Sequence, residues 1–401
     1  MYEIVHVAFL MLEDLRREVK NNYPLLLNNI IVVLKVTKEG ETQMKELKDL
    51  DFSVSFTDTD EAQEFFDEMK DTDQWKDAKL NECRVNLVGP EAYSLSHDGV
   101  EYPIHPMAMK NIETVSEADA NGNYLLTRTA YAAQLTEYFR LHPDKCRGKF
   151  IVRGGSKTEP GILIGYHTSQ YQDMSQADLF RILMKCLKTR AFGYRFLSGT
   201  YTHEFTKFVF VLENAITAEY KDAWKKAGLD EDLLDRSKVY LTFTTNDVGS
   251  SQARIVLTCK AGGDTFLLGE PKEVKHRVGG GGLALFESRL SDVDITIDEE
   301  MSSISKLMGV TVIHPEAVVV RAMQECKLEN ISKKACKELI DEMFFVGPTS
   351  AYVIYLFLCG IINTDIGSGL SEERKFRILT ALRALLKRDW TKLDKPGPTT
   401  L

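Results

Sequence analysis

Between residues 148 and 278 the alternation of apolar and polar side chains predicts a run of β-strands. Segments such as "KVYLTFTT" (238–245) and "ARIVLTCK" (253–260) change polarity at almost every residue. This period of two is typical of strands that bury one face. Apolar residues at helical spacing interrupt the run in "SQADLFRILMKCLKTR" (175–190). We therefore predict a mixed, largely antiparallel β core with inserted helices.

Helical spacing dominates the rest of the chain. It predicts an amphipathic helix over residues 5–19, a helix that begins near Thr59 or Asp60, and mostly helices from Asp298 to Trp390. The predicted fold class is α+β, with a helical C-terminal third and a smaller acidic N-terminal α/β region. We predict three regions, which are an acidic N-terminal region (1–120), a mixed α+β core (121–297) and a helical C-terminal region (298–401).

The charge of the chain is unevenly distributed. Residues 38–77 contain 14 acidic and five basic residues, and this excess accounts for the whole net charge of −9. The remaining residues carry equal numbers of acidic and basic side chains, 45 of each. The overall acidity therefore argues against nonspecific coating of nucleic acid but leaves room for a local basic groove.

Cysteine usage and hydropathy predict a protein of the cytosol. The seven cysteines are scattered and include no CxxC pair, which favours reduced thiols over a disulfide framework or a zinc site. The first residues contain no secretory signal, because charged residues interrupt the apolar stretch early. The most apolar run, residues 351–362, is too short to cross a bilayer and predicts a buried helix. We therefore expect no membrane association.

The octet "TRAFGYRF" (189–196) combines two arginines with three aromatic residues at alternate positions. One interpretation is a nucleic-acid site, in which Phe192 and Tyr194 stack on bases while Arg190 and Arg195 hold phosphates. The octet partly matches the aromatic signature of RNA-recognition sheets. The other interpretation is a strand whose alternate rings face the protein interior. The sequence leaves both open.

Two glycine-containing segments resemble phosphate-binding loops without matching a nucleotide-hydrolysing motif. "VKHRVGGGG" (274–282) offers Lys275 and Arg277 beside four glycines, whose backbone N–H groups can approach an anion. "RGGSKTEPG" (153–161) offers Arg153 and Lys157. Neither has the glycines and the Lys-Ser/Thr pair of a P-loop in register. For the four glycines a mobile loop or hinge is the alternative.

No complete catalytic or metal-binding signature is present, and we predict no catalytic residue, no metal and no cofactor. The sequence lacks GxSxG and HExxH motifs. Acidic residues near residue 60 favour a capped helix N-terminus over a divalent-metal loop, because the turn glycine of such loops is missing. An enzyme whose site is built from residues distant in sequence stays an alternative.

Several segments resemble a group of phage/plasmid-like proteins of unknown function that occur on mobile genetic elements. They are "GILIGYHTSQYQDMSQADLFRIL" (161–183), "TTNDVGSSQARIVL" (244–257), "VKHRVGG" (274–280) and "RDWTKLDKPG" (388–397). The resemblance covers roughly residues 121–395. The chain departs from the family's pattern at "LTCKAGG" and in the extra glycines after residue 280. The resemblance implies a phage or plasmid origin and action in the cytoplasm of a bacterial host, or in a virion, and it supplies no catalytic residues.

Together these patterns predict a phage or mobile-element accessory protein that binds nucleic acid, in single-stranded form, without catalysis. The predicted contact residues are Arg153, Lys157, Arg190, Phe192, Tyr194, Arg195, Lys275 and Arg277. One alternative is a structural or assembly protein, as a virion component or a homo-oligomer. Another is a host-defence inhibitor or an enzyme.

Overall fold

A computed structural model describes residues 50–90, 92–116, 126–155, 160–246, 252–277, 279 and 281–400. The predicted helix over residues 5–19, the boundary between residues 120 and 121, and Lys157 lie outside the described residues.

The strands of the middle region pair antiparallel in three sheets, and a short pair lies near the C-terminus. The strands are β1 (Ser53–Phe56), β2 (Gln74–Lys79), β3 (Arg84–Leu87), β4 (Tyr93–His97), β5 (Val100–Pro103), β6 (Arg147–Arg153), β7 (Ile162–Thr168), β8 (Gly193–Thr202), β9 (Thr206–Glu213), β10 (Lys238–Thr245), β11 (Ala253–Ala261), β12 (Asp264–Leu267), β13 (Lys272–Val274), β14 (Thr311–Val312) and β15 (Thr349–Ser350). The large sheet has the order β1-β8-β9-β10-β11-β12, with β13 beside β11. The smaller sheets are β2-β6-β7 and β3-β4-β5.

Helices pack against these sheets and dominate the C-terminal third. They are α1 (Thr59–Thr72), α2 (Pro106–Val115), α3 (Arg128–Leu141), α4 (Gln176–Lys188), α5 (Ala218–Lys226), α6 (Glu231–Arg236), α7 (Gly282–Ser291), α8 (Val293–Met308), α9 (Pro315–Glu325), α10 (Glu329–Asp341), α11 (Ala351–Cys359), α12 (Asp365–Ser368), α13 (Glu372–Arg383) and α14 (Trp390–Leu393). The predicted α+β class is confirmed. The predicted boundary between residues 297 and 298 falls inside α8. The division into three regions stays a prediction.

Strict alternation gives the large sheet one buried and one open face. In β10 and β11 every second side chain is buried, and the residues between them are partly or fully exposed. The buried face packs against α1, α4, α7 and α8 in one hydrophobic cluster, to which they contribute Phe66, Phe180, Phe286 and Ile297. Burial of this much apolar surface is the main stabilising contribution to the domain.

A second hydrophobic cluster lies between Leu80 and Tyr166. It joins the β3-β4-β5 sheet, α2, α3 and one face of the β2-β6-β7 sheet.

The acidic residues near residue 60 belong to the N-terminus of α1, because the Asp58 side chain accepts hydrogen bonds from the backbone N–H groups of Asp60 and Glu61. Within the described ranges, no helix combines the length and apolar composition needed to span a membrane.

Candidate functional site

The open face of the large sheet forms the floor of a groove with a volume of about 1280 Å³. Antiparallel pairing places Thr244 of β10 between Lys207 of β9 and Arg254 of β11. Thr242 and Thr258 continue the polar floor. The floor therefore presents hydroxyl groups and cations together with Val256, since most apolar residues of these strands point into the core.

Other segments of the chain form the walls, among them α2 with Asn111 and Thr114. On one side lie the segment after β7, which includes Tyr171, and the segment Lys275–Arg277. On the other side α13 contributes Glu372, Glu373 and Phe376. An isolated antiparallel bridge between Tyr171 and Arg277 holds the two segments of the first wall together.

Four aromatic and imidazole rings pack together at the first wall. The Tyr171 ring stacks on His167 at a centroid distance of 3.8 Å and on His276 at 5.3 Å. Trp75 of β2 stacks on the Tyr171 ring at 5.8 Å. The Tyr171 hydroxyl is also 3.0 Å from Nδ1 of His276. Both histidines are buried, with 5% and 8% of their surfaces exposed.

Cations outnumber carboxylates in the groove. Five Lys or Arg side chains and two Glu side chains line it. Arg254 pairs with Glu273 at 2.7 Å, and Lys375 pairs with Glu372 at 3.2 Å. The three other cations have no carboxylate within ion-pair distance among the described residues, and they are Lys207, Lys275 and Arg277. The groove is therefore a site of positive charge on an acidic protein.

The backbone at this wall adopts a conformation that favours glycine. Gly281 and Gly282 have positive φ angles of 80° and 49°, which L residues with side chains rarely adopt. A Cβ atom at Gly282 would also lie 2.7 Å from the Gln172 amide nitrogen. The glycines therefore allow α7 to begin close beside the Tyr171–Gln172 segment.

Two of the predicted contact residues are held inside the protein. Arg153 is fully buried, where its guanidinium pairs with Asp73 and donates to the Tyr201 hydroxyl. Arg190 is 13% exposed and binds Asp294 at 2.8 Å and the Leu290 carbonyl at 2.6 Å. The Arg153 guanidinium therefore has no surface to offer a phosphate, that of Arg190 is largely covered, and neither residue lines the groove.

The aromatic octet lies on β8 and on the turn before it. Tyr194 and Phe196 pair with Leu212 and Phe210 of β9 and are half-buried against the large cluster, as Phe192 is. Arg195 points to the opposite, open face, with 53% of its side chain exposed, and lies outside the lining of the groove. This placement favours the interpretation as a strand with one covered face.

The structure brings two predicted residues, Lys275 and Arg277, into the groove. The predicted contact residues did not include Lys207, Arg254 and Lys375. The signal for the first two was present, since each lies at a polar position of an alternating strand. What one sequence does not supply is the order of the strands in the sheet.

Among the described residues, no group of three or more His, Cys, Asp or Glu side chains has the arrangement of a metal site. Comparisons of the chain with family models, with curated proteins and with solved structures found no match.

Proposed function

We propose that this protein binds nucleic acid, in single-stranded form, in the groove on the open face of its large sheet. The observation that carries the proposal is the set of three groove cations without a carboxylate partner among the described residues. Clusters of this kind bind phosphates and release counterions. A volume of about 1280 Å³ also exceeds that of typical small-molecule pockets, roughly 300–1,000 Å³, and suits a segment of a polymer.

An exposed aromatic ring in the groove favours binding of a single strand over binding of a duplex. Phe205 lies on the turn between β8 and β9, lines the groove and is 42% exposed. Unpaired bases can stack on such a ring, at about 1–3 kcal/mol per base, whereas paired bases are already stacked on each other. Tyr171 is not offered in this role because His167 and His276 stack on its ring.

The resemblance of residues 121–395 supplies the cellular part of the proposal. It supports an accessory protein of a phage or plasmid that acts in the cytoplasm of a bacterial host. Binding of a single strand fits such a role, because replication and transfer of mobile DNA expose single strands.

Salt dependence of binding tests this proposal. With three phosphate contacts, the affinity for a single-stranded oligonucleotide should fall about 20-fold between roughly 50 and 200 mM salt, since the slope is about −0.7 per contact. The double variant Lys275→Gln/Arg277→Gln leaves one contact and should show a fall of about threefold. Lys333→Gln/Lys334→Gln, on the exposed face of α10, serves as the matched control. Fluorescence anisotropy measures all three proteins.

Two results would contradict the proposal. One is a wild-type affinity that does not change with salt. The other is an equal loss of affinity in the control and in the groove variant, which would place the binding surface elsewhere.

A second candidate function is self-assembly, and a different surface favours it. Phe344 and Val346 are 81% and 91% exposed on the segment before β15. Pairing of β14 with β15 places Ile313, 62% exposed, beside this segment. Exposed apolar clusters often mark interfaces. Light scattering tests this candidate: an oligomer that Phe344→Ser/Val346→Ser dissociates supports it, and a monomeric wild type excludes it.

A further inference from the structure

Tyr171 and His276 form a hydrogen-bonded pair in the wall of the groove, although 105 residues separate them. The backbone fixes their relative position. The Gln172 N–H donates to the His276 carbonyl at 3.3 Å, and Tyr171 forms a bridge with Arg277. Stacking of His167 at 3.8 Å fixes the plane of the Tyr171 ring. The phenol is therefore held next to an imidazole nitrogen.

This arrangement has the parts of an activated nucleophile. A tyrosine hydroxyl has a pKa of about 10 and attacks slowly as the neutral phenol. An imidazole nitrogen can accept its proton when the two groups lie within hydrogen-bond distance, and their separation here is 3.0 Å. Lys275 and Arg277 line the same wall and supply positive charge for an anionic transition state.

We propose that Tyr171 is a nucleophile that transfers a phosphodiester of the bound strand to itself, with His276 as the general base. This inference rests on the proposed function, because nucleic acid in the groove is the substrate. It names an activity that the sequence did not reveal, since no local motif contains both residues.

The step balances without a further reactant. The Tyr171 Oη atom attacks phosphorus, an Oη–P bond forms, and the bond from phosphorus to one bridging oxygen breaks. The phenolic proton moves to Nδ1 of His276. The departing nucleoside oxygen keeps the electron pair of the broken bond and takes a proton from solvent. The phosphate stays a diester, so the reverse step can rejoin the strand.

Trapping of a covalent adduct tests the proposal. The full chain is incubated with single-stranded oligonucleotides that carry a fluorophore at the 5′ end or at the 3′ end, and the products are separated under denaturing conditions. We expect the wild type to retain one of the two labels. Tyr171→Phe should lose the adduct, and His276→Gln should form it about 10²–10⁴ times more slowly. Tyr240→Phe, on the open face but outside the groove lining, is the matched control and should behave as the wild type.

The pH profile separates a base from a purely structural histidine. Adduct formation by His276→Gln should rise about tenfold per pH unit as hydroxide replaces the imidazole, whereas the wild-type rate should depend less steeply on pH. Equal profiles for the two proteins would overturn the role of His276.

Binding of the same oligonucleotides is measured in parallel by anisotropy. Tight binding without any wild-type adduct would overturn this inference and leave the proposed function intact. An adduct that persists in Tyr171→Phe would overturn the assignment of the nucleophile. Failure of the wild type to bind would overturn the proposed function and the inference together.

Discussion

A buried ion pair connects the two cores of the protein, and its removal should cost several kcal/mol. Arg153 ends β6, and Asp73 follows α1. The Arg153 side chain is fully buried and that of Asp73 is 10% exposed. The Arg153 Nε atom donates to Oδ1 of Asp73 at 2.8 Å, and the same guanidinium donates to Tyr201 of β8. The pair therefore joins the β2-β6-β7 sheet to the large sheet.

The size of the effect follows from this burial. Asp73→Ala removes the carboxylate, while the guanidinium stays charged because arginine side chains are not deprotonated in proteins. Removal of one partner of a buried ion pair costs about 3–5 kcal/mol of unfolding free energy. The exposed pair of Lys79 and Glu82, with side chains 63% and 50% exposed, is the control, and Glu82→Ala should cost less than about 1 kcal/mol.

Urea unfolding followed by tryptophan fluorescence measures both changes as shifts of the transition midpoint. The double variant Asp73→Ala/Arg153→Met removes both charges and should regain at least half of the loss, since a buried apolar side chain needs no counter-ion. An Asp73→Ala midpoint shift no larger than that of Glu82→Ala would refute this reasoning. So would a double variant that is less stable than Asp73→Ala alone.

Three further predictions concern single residues. The pKa of His105 is lowered, mainly by burial, so the unfolded state binds more protons and the unfolding free energy should fall as the pH drops below about 6.5. Urea unfolding at pH 5.5 and 7.5 should show a weaker pH dependence for His105→Gln than for the wild type, and an unchanged dependence would contradict this prediction. In Gly199→Ala the new methyl group would lie 2.4 Å from Cε1 of Phe208, and the overpacking should cost about 1–3 kcal/mol in the same assay, whereas a neutral effect would argue against this packing. Burial raises the pKa of the Cys83 thiol to about 12. Its alkylation at pH 8, followed by mass spectrometry of the Cys83 peptide, should therefore be about a thousandfold slower than that of a free thiol of pKa about 8.5. Equal rates would contradict this prediction.

The periodicity of the sequence was sufficient to predict the strands of the large sheet from β8 to β11 and the helix α4. The alternation in "KVYLTFTT" corresponds to β10, and the helical spacing after Asp298 corresponds to helices such as α13, which Ser371 caps. Such signals are local, because burial of one face and capping of a terminus depend on neighbouring residues. The pairing of β1 with β8, nearly 140 residues later, depends on tertiary packing that one sequence does not encode locally.

The site was harder to predict than the fold for the same reason. A basic residue in a strand faces either the groove or the interior. The residues that flank Arg153 in the sequence are typical of those around a cation at the surface. Its partner Asp73 lies 80 residues earlier, so the burial of the pair could not be inferred. Tyr171 and His276 are 105 residues apart in the sequence and come together through tertiary contacts, such as the hydrogen bond from the Gln172 N–H to the His276 carbonyl.

Photo-crosslinking of a single-stranded oligonucleotide that contains 4-thiothymidine, followed by mass spectrometry of the attached peptides, tests the central claim most directly. If the strand binds in the groove, crosslinks should form in the peptides that contain Phe205 and Lys275–Arg277. These crosslinks should be lost as the salt concentration is raised. Crosslinks confined to peptides outside the groove, or the absence of any crosslink at low salt, would contradict it.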